Sequence, residues 1–89
     1  MYYVYILECA DQTLYTGSCA DLARRVKEHN FGNNGAKYTR GRRPVKLVFS
    51  QKFRTRSRAC VKEIQLKKLT RLQKLAIIKK GEINFEMSS

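Results

Sequence analysis

A chain of 89 residues, 43% of them hydrophobic, is long enough for one folded domain with a thin core and too apolar for a disordered tail. Lys and Arg total 19 against 7 Asp and Glu, a net charge of +12 that suits a polyanionic partner. There is no signal-peptide pattern, no apolar run that could cross a membrane and no basic amphipathic helix with Trp or Phe anchors, which argues against a membrane partner.

The first elements form a hairpin. YYVYILEC (2–9) is a nearly continuous apolar run rich in aromatic and β-branched residues, as expected of a central strand buried on both faces. ADQ (10–12) reads as a turn and TLYTG (13–17) as the returning strand. The turn has two solutions. A two-residue loop at Asp11-Gln12 pairs Glu8 with Tyr15 and leaves Tyr5 and Tyr15 on opposite faces. A three-residue loop, Ala10 to Gln12, pairs Leu7 with Tyr15 and Tyr5 with Gly17, so both phenols share a face. It requires a left-handed residue at the end of the turn, at Gln12.

Asp21 stands at an N-cap position before LARRVKEH, with Leu22 and Val26 one turn apart and facing the core. Arg25 and His29, also four apart, lie on the edge of the same stripe. FGNNGAKYTRGRRP (31–44) is a glycine-rich basic loop, and VKLVFSQ (45–51) is the third strand. Thr55 or Ser57 can cap a second helix over 57–68. Thr70 with Gln73 forms a capping-box pattern for a third over 71–80, with Gly81 as its stop. The order β-β-α-β-α-α predicts an α+β fold, a three-stranded antiparallel sheet flanked by three helices over residues 1–80, with 81–89 as a short tail.

On the second helix two apolar stripes, Cys60/Val61/Ile64 and Ala59/Leu66/Leu69, flank a polar line of Arg56, Glu63 and Lys67, as if the helix were covered on two sides. Charge is distributed unevenly. Residues 36–80 hold 16 cations and a single acid, Glu63. That asymmetry favours a polyanion, nucleic acid above all, and no obligate protein partner is evident. Glu63 is either half of an i,i+4 ion pair with Lys67 or a lone hard-oxygen ligand holding one Mg²⁺ or Mn²⁺ against a phosphate. Cys9, Cys19 and Cys60 form no CxxC pair and His29 is the only histidine. Neither a disulfide framework nor a zinc site is expected, and the setting is a reducing cytoplasm.

Tyr3-Val4-Tyr5, a ten-residue step to Tyr15-Thr16-Gly17, an arginine and a histidine on the next helix, and a glutamate beyond them together resemble the GIY-YIG nuclease domain. GAKYTRGRRPVKLVFS and KEIQLKKLTRLQK resemble its small stand-alone bacterial branch. The first motif lacks its leading glycine, with Val4 and Thr16 in place of the two isoleucines, while both tyrosines are retained. The resemblance implies a metal-dependent endonuclease, structure-selective or weakly specific, that hydrolyses phosphodiester bonds in DNA, with DNA more expected than RNA. It gives Glu63 the metal and makes Tyr5 the general base, with Tyr15 holding the water, or these two roles exchanged. Arg25 neutralises charge on phosphorus, and His29 contacts a phosphate oxygen or the water. Lys37, Arg40, Arg42 and Arg43 in the basic loop, with Lys67 and Lys68, are assigned to the nucleic-acid backbone, and Arg71 extends that track. Asn84 is given no role. The competing readings are a nucleic-acid-binding module with this fold and little turnover, and an RNA- or ribosome-associated accessory protein.

Overall fold

The structure is a computed structural model and describes residues 1–32 and 41–80. Gly81, Asn84 and the tail, like Lys37 and Arg40, lie outside the described residues. Three strands, β1 (Tyr2–Glu8), β2 (Leu14–Cys19) and β3 (Lys46–Phe53), and three helices, α1 (Leu22–Phe31), α2 (Arg56–Lys67) and α3 (Arg71–Lys80), follow the predicted order. The sheet is antiparallel in the order β2-β1-β3, so the most apolar strand is central.

The hairpin adopts the three-residue loop. Tyr5 pairs with Gly17 and Leu7 with Tyr15. Gln12 takes the left-handed conformation that this loop demands, with φ of 69°. Side-chain chemistry holds the turn against that strain: Asp11 Oδ1 accepts from the Thr13 amide at 3.1 Å and from the Thr13 hydroxyl at 2.6 Å.

Strand alternation then divides the interior in two. Val4 and Ile6 point to one face and join Phe49 of β3, Ala59 and Leu66 of α2 and Ile77 of α3. Tyr5 and Leu7 point to the other and join Cys9 and Val45, with Leu22 and Val26 of α1 packed against them. A single sheet thus carries α1 on one face and α2 with α3 on the other, and β1 is shared by both cores. Cap chemistry sets the helix ends. Asp21 accepts from the Arg24 amide at 3.1 Å and Thr55 from the Arg58 amide at 3.2 Å, so Thr55 rather than Ser57 starts α2. Thr70 and Gln73 form a reciprocal capping box, at 3.2 and 2.9 Å.

One expectation is corrected. The Cys60/Val61/Ile64 stripe is not covered: Val61 is 51% and Ile64 56% exposed, while Ala59 and Leu66 are fully buried. The helix packs on one side only, because α3 joins the same core as Ala59 and Leu66 instead of closing over the second stripe. Strand β3 also has a break in pairing, Ile6 with Phe49 and then Leu7 with Leu47, which leaves Val48 as an extra residue.

Candidate active site

The register places Tyr5 and Tyr15 on the α1 face, neighbouring strand to neighbouring strand, with ring centroids 6.4 Å apart. Gly17 makes room for this. A Cβ at position 17 would lie 2.6 Å from the Tyr5 hydroxyl oxygen and 2.8 Å from its Cζ, so the Tyr5 ring lies directly over the glycine. Tyr5 is only 1% exposed, whereas Tyr15 is partly buried and is the more open of the two.

Helix α1 delivers the next groups. Its 3.6-residue period sets Arg25 and His29 one turn apart, over the two phenols. His29 is fully buried, its ring 5.9 Å from that of Tyr5 and 5.2 Å from that of Tyr15. The Tyr5 hydroxyl and His29 Nε2 are 2.9 Å apart. The Arg25 guanidinium hydrogen-bonds the same phenol and donates to Glu28 Oε1 at 3.0 Å. His29 has no exposed surface in this structure, and the Tyr5 hydroxyl is one of its contacts.

Protonation follows from burial. Desolvation pushes the Tyr5 phenol up to about 12, and the Arg25 hydrogen bond only partly offsets it. Burial, reinforced by the Arg25 charge, pushes His29 down to about 4. At neutral pH the imidazole is uncharged and the phenol protonated; in the tautomer that carries its proton on Nδ1, the hydroxyl donates and Nε2 accepts. The histidine shift has a stability consequence. The unfolded chain takes up a proton near 6.5, while the folded chain resists protonation down to about 4. The stability contribution is therefore fully present above 6.5 and is lost as pH falls toward 4. The loss should be on the order of 3 kcal/mol. Urea unfolding at successive pH values should show the decline in the native chain, and His29→Asn, though less stable at pH 7, should lack it. Asp11, held low by the Thr13 hydroxyl, and Glu28, held low by Arg25, respond only at the acid end of this window.

The predicted basic residues divide. Arg43 donates from Nε to the His29 carbonyl at 2.6 Å and from NH2 to the Gly32 carbonyl at 2.5 Å, so two of its N–H groups close the C-terminus of α1. Arg42 pairs with Asp11 at 3.0 Å and Arg71 donates to the Gln12 carbonyl, so both brace the hairpin turn. Lys68 is exposed at the end of α2.

Glu63 reaches the sheet from α2, on the face opposite the phenols, and meets the edge strand β2. The Ser18 hydroxyl donates to its Oε1 at 2.6 Å, and Lys67 Nζ lies 2.8 Å from Oε2. The structure thus gathers Tyr5, Tyr15, Arg25 and His29 into one contact group and holds Glu63 across β2 from them. Lys67 is the link: the Glu63 contact raises its pKa first, and Tyr15 adds to the shift. Among the described residues no three His, Cys, Asp or Glu side chains gather into a metal cage. One carboxylate does fit Mg²⁺ or Mn²⁺, which complete their shell with water and phosphate oxygens. Each Glu63 oxygen accepts one contact and retains a lone pair.

Two contributors escaped the sequence reading. Ser18 carries no motif signal. Asn30 donates from Nδ2 to the Val45 carbonyl at 2.9 Å and accepts from the Val45 amide at 2.7 Å, tying the residue after His29 to the start of β3.

Comparison with known proteins gives the family of the domain. The GIY-YIG catalytic domain matches residues 1–76. A UPF0213 protein of Syntrophus aciditrophicus is 51% identical over 79 residues, 89% of this chain and 91% of that protein. One from Clostridium perfringens is 52% identical over 86 residues, covering 97% and 91%. The solution NMR structure of a UPF0213 protein from Bacillus halodurans superposes with a TM-score of 0.59 at 40% identity, covering 100% of this chain and 95% of that one.

Proposed function

The chain belongs to the GIY-YIG catalytic domain family, and on that premise we propose that it is a metal-dependent endonuclease acting on phosphodiester bonds in DNA. The observation that carries this reading is the cluster of Tyr5, Tyr15, Arg25 and His29 under one helix. Binding alone needs no buried phenol hydrogen-bonded to a neutral imidazole. Mg²⁺ or Mn²⁺ on Glu63, when bound, would supply Lewis-acid stabilisation of charge on the phosphate.

The chain's own groups have separable tasks. Tyr15 is the more open phenol, which supports giving it the incoming water. Tyr5 is nearly enclosed, and its hydroxyl points at His29 Nε2. A proton passed to Tyr5 can be matched by one released to the imidazole, so the buried phenol need never ionise on its own. Arg25, touching Tyr5 and still partly exposed, can counter negative charge that develops on phosphorus. Lys67 and Lys68, with Arg42 where it is not held by Asp11, supply positive field for the strand.

Supercoiled, branched and single-stranded DNA, and RNA, incubated with Mg²⁺ or Mn²⁺ and with a chelator control, provide the test. Cleavage is expected on DNA and should fall by about 100-fold in Tyr5→Phe and in Tyr15→Phe. Undiminished cleavage in both variants would identify a contaminant and remove the assignment. Salt-sensitive binding without cleavage in either metal would instead establish a binding module.

A further inference from the structure

The contact that this reading leaves unused belongs to Ser18. It follows Gly17 directly, so its side chain leaves β2 on the other face of the sheet from the phenols. Its hydroxyl reaches Glu63 Oε1 across 45 positions of sequence. Glu63 is only 19% exposed, so this part-buried bond is partly shielded from competing water. The two partners of the carboxylate differ in kind. Ser18 has a single side-chain torsion, is anchored on a paired strand and brings no charge. Lys67 sits on a four-carbon stem, is 53% exposed, and brings the positive charge that a metal ion would otherwise bring.

The geometry points to Ser18 as the positioning residue of a divalent-cation site on Glu63, with the Lys67 ammonium as a placeholder that the ion displaces. The inference rests on the proposed role of Glu63 as the metal ligand. The hydroxyl fixes one oxygen and so restricts where the other can lie, the oxygen that Lys67 now meets. A free glutamate would have to order its three torsions when the ion arrives; this one is ordered beforehand. Outer-shell partners of this kind change metal affinity by about 10- to 100-fold when removed.

Mn²⁺ titrations followed by electron paramagnetic resonance test this, with a phosphorothioate DNA hairpin present to supply phosphate oxygens without being consumed. Ser18→Ala is expected to raise the half-saturating Mn²⁺ concentration about 10-fold. Ser18→Thr, which keeps the hydroxyl, should titrate near the native chain. Lys67→Met should titrate at lower Mn²⁺ than the native chain, because the competing cation is gone. A merely structural contact would shift the melting temperature and leave all three titrations unmoved, which overturns the proposal. Glu63→Gln separates the two failures. Native-like Mn²⁺ binding by Glu63→Gln sinks the ligand assignment itself. Lost binding there, beside native-like titration of Ser18→Ala, sinks only the role of Ser18.

Discussion

Glu63→Gln is expected to lower DNA cleavage by roughly 100- to 1,000-fold while the fold survives. The amide keeps the volume of the acid, and its oxygen can still accept from Ser18. It loses the charge, and with it the hard anionic oxygen that Mg²⁺ requires. Several kcal/mol of transition-state stabilisation come with a catalytic metal, and each 1.4 kcal/mol is about a factor of ten. Stability should change little. The lost partner, Lys67, is half exposed, and pairs of that kind are worth about 0–1 kcal/mol. Single-turnover cleavage at saturating metal, beside thermal melting, separates the two effects. Cleavage within a few-fold of the native chain, with the melt unchanged, would show that the acid has no part in the chemistry.

Gly17→Ala is the second large effect, and it acts through space alone. The added Cβ would meet the Tyr5 hydroxyl oxygen at 2.6 Å, its Cζ at 2.8 Å and Tyr15 Cε2 at 3.2 Å. Tyr5 cannot easily yield. Its hydroxyl is bonded to His29, and it packs with Leu7, Cys9 and Val45 in a closed core. Overpacking of this kind costs about 1–3 kcal/mol, a fall in melting temperature of roughly 5–15 °C for a domain of this size. A reactive group displaced by about 1 Å loses about 100-fold in rate. Both losses should appear together in Gly17→Ala. Adding Tyr5→Phe removes the atom in closest conflict but leaves Cζ at 2.8 Å and takes the phenol from His29, so the double variant should recover at most part of the stability and none of the cleavage. A fully active Gly17→Ala would mean that the Tyr5 position is not critical.

The fold was legible wherever local chemistry left one solution. Helix caps at Asp21 and Thr70 were readable because a side-chain oxygen and the first-turn amides lie within a few residues of one another. The hairpin was readable down to two registers, and the left-handed Gln12 marks the one adopted. The α2 surface was misread because apolar spacing reports what a helix could bury, not whether another element arrives to cover it. Much the same applies to the site. Helix period put Arg25 and His29 on one edge of α1, while Tyr5 and Tyr15 share a face only in one of the two registers, the one adopted. The enclosure of His29 depends on how α1 settles on the sheet, and no local pattern encodes that. Arg43 looked like any other loop cation, and only the three-dimensional path of the chain shows it closing a helix end. Ser18 and Asn30 were invisible for the same reason: each acts on a residue from a different element, through one or two hydrogen bonds.

The length of the Ala10–Gln12 connection has a wider consequence. Loop tips usually absorb insertions and deletions freely, but this one indexes a strand whose two sides do different jobs. Tyr15 and Gly17 serve the helix above, while Ser18 grips the acid below. Removing one turn residue would slide β2 by a single step along β1 and exchange the two sets. The hairpin therefore behaves as a ratchet with one working notch, and variants that change its length should be rejected far more often than those that change its composition.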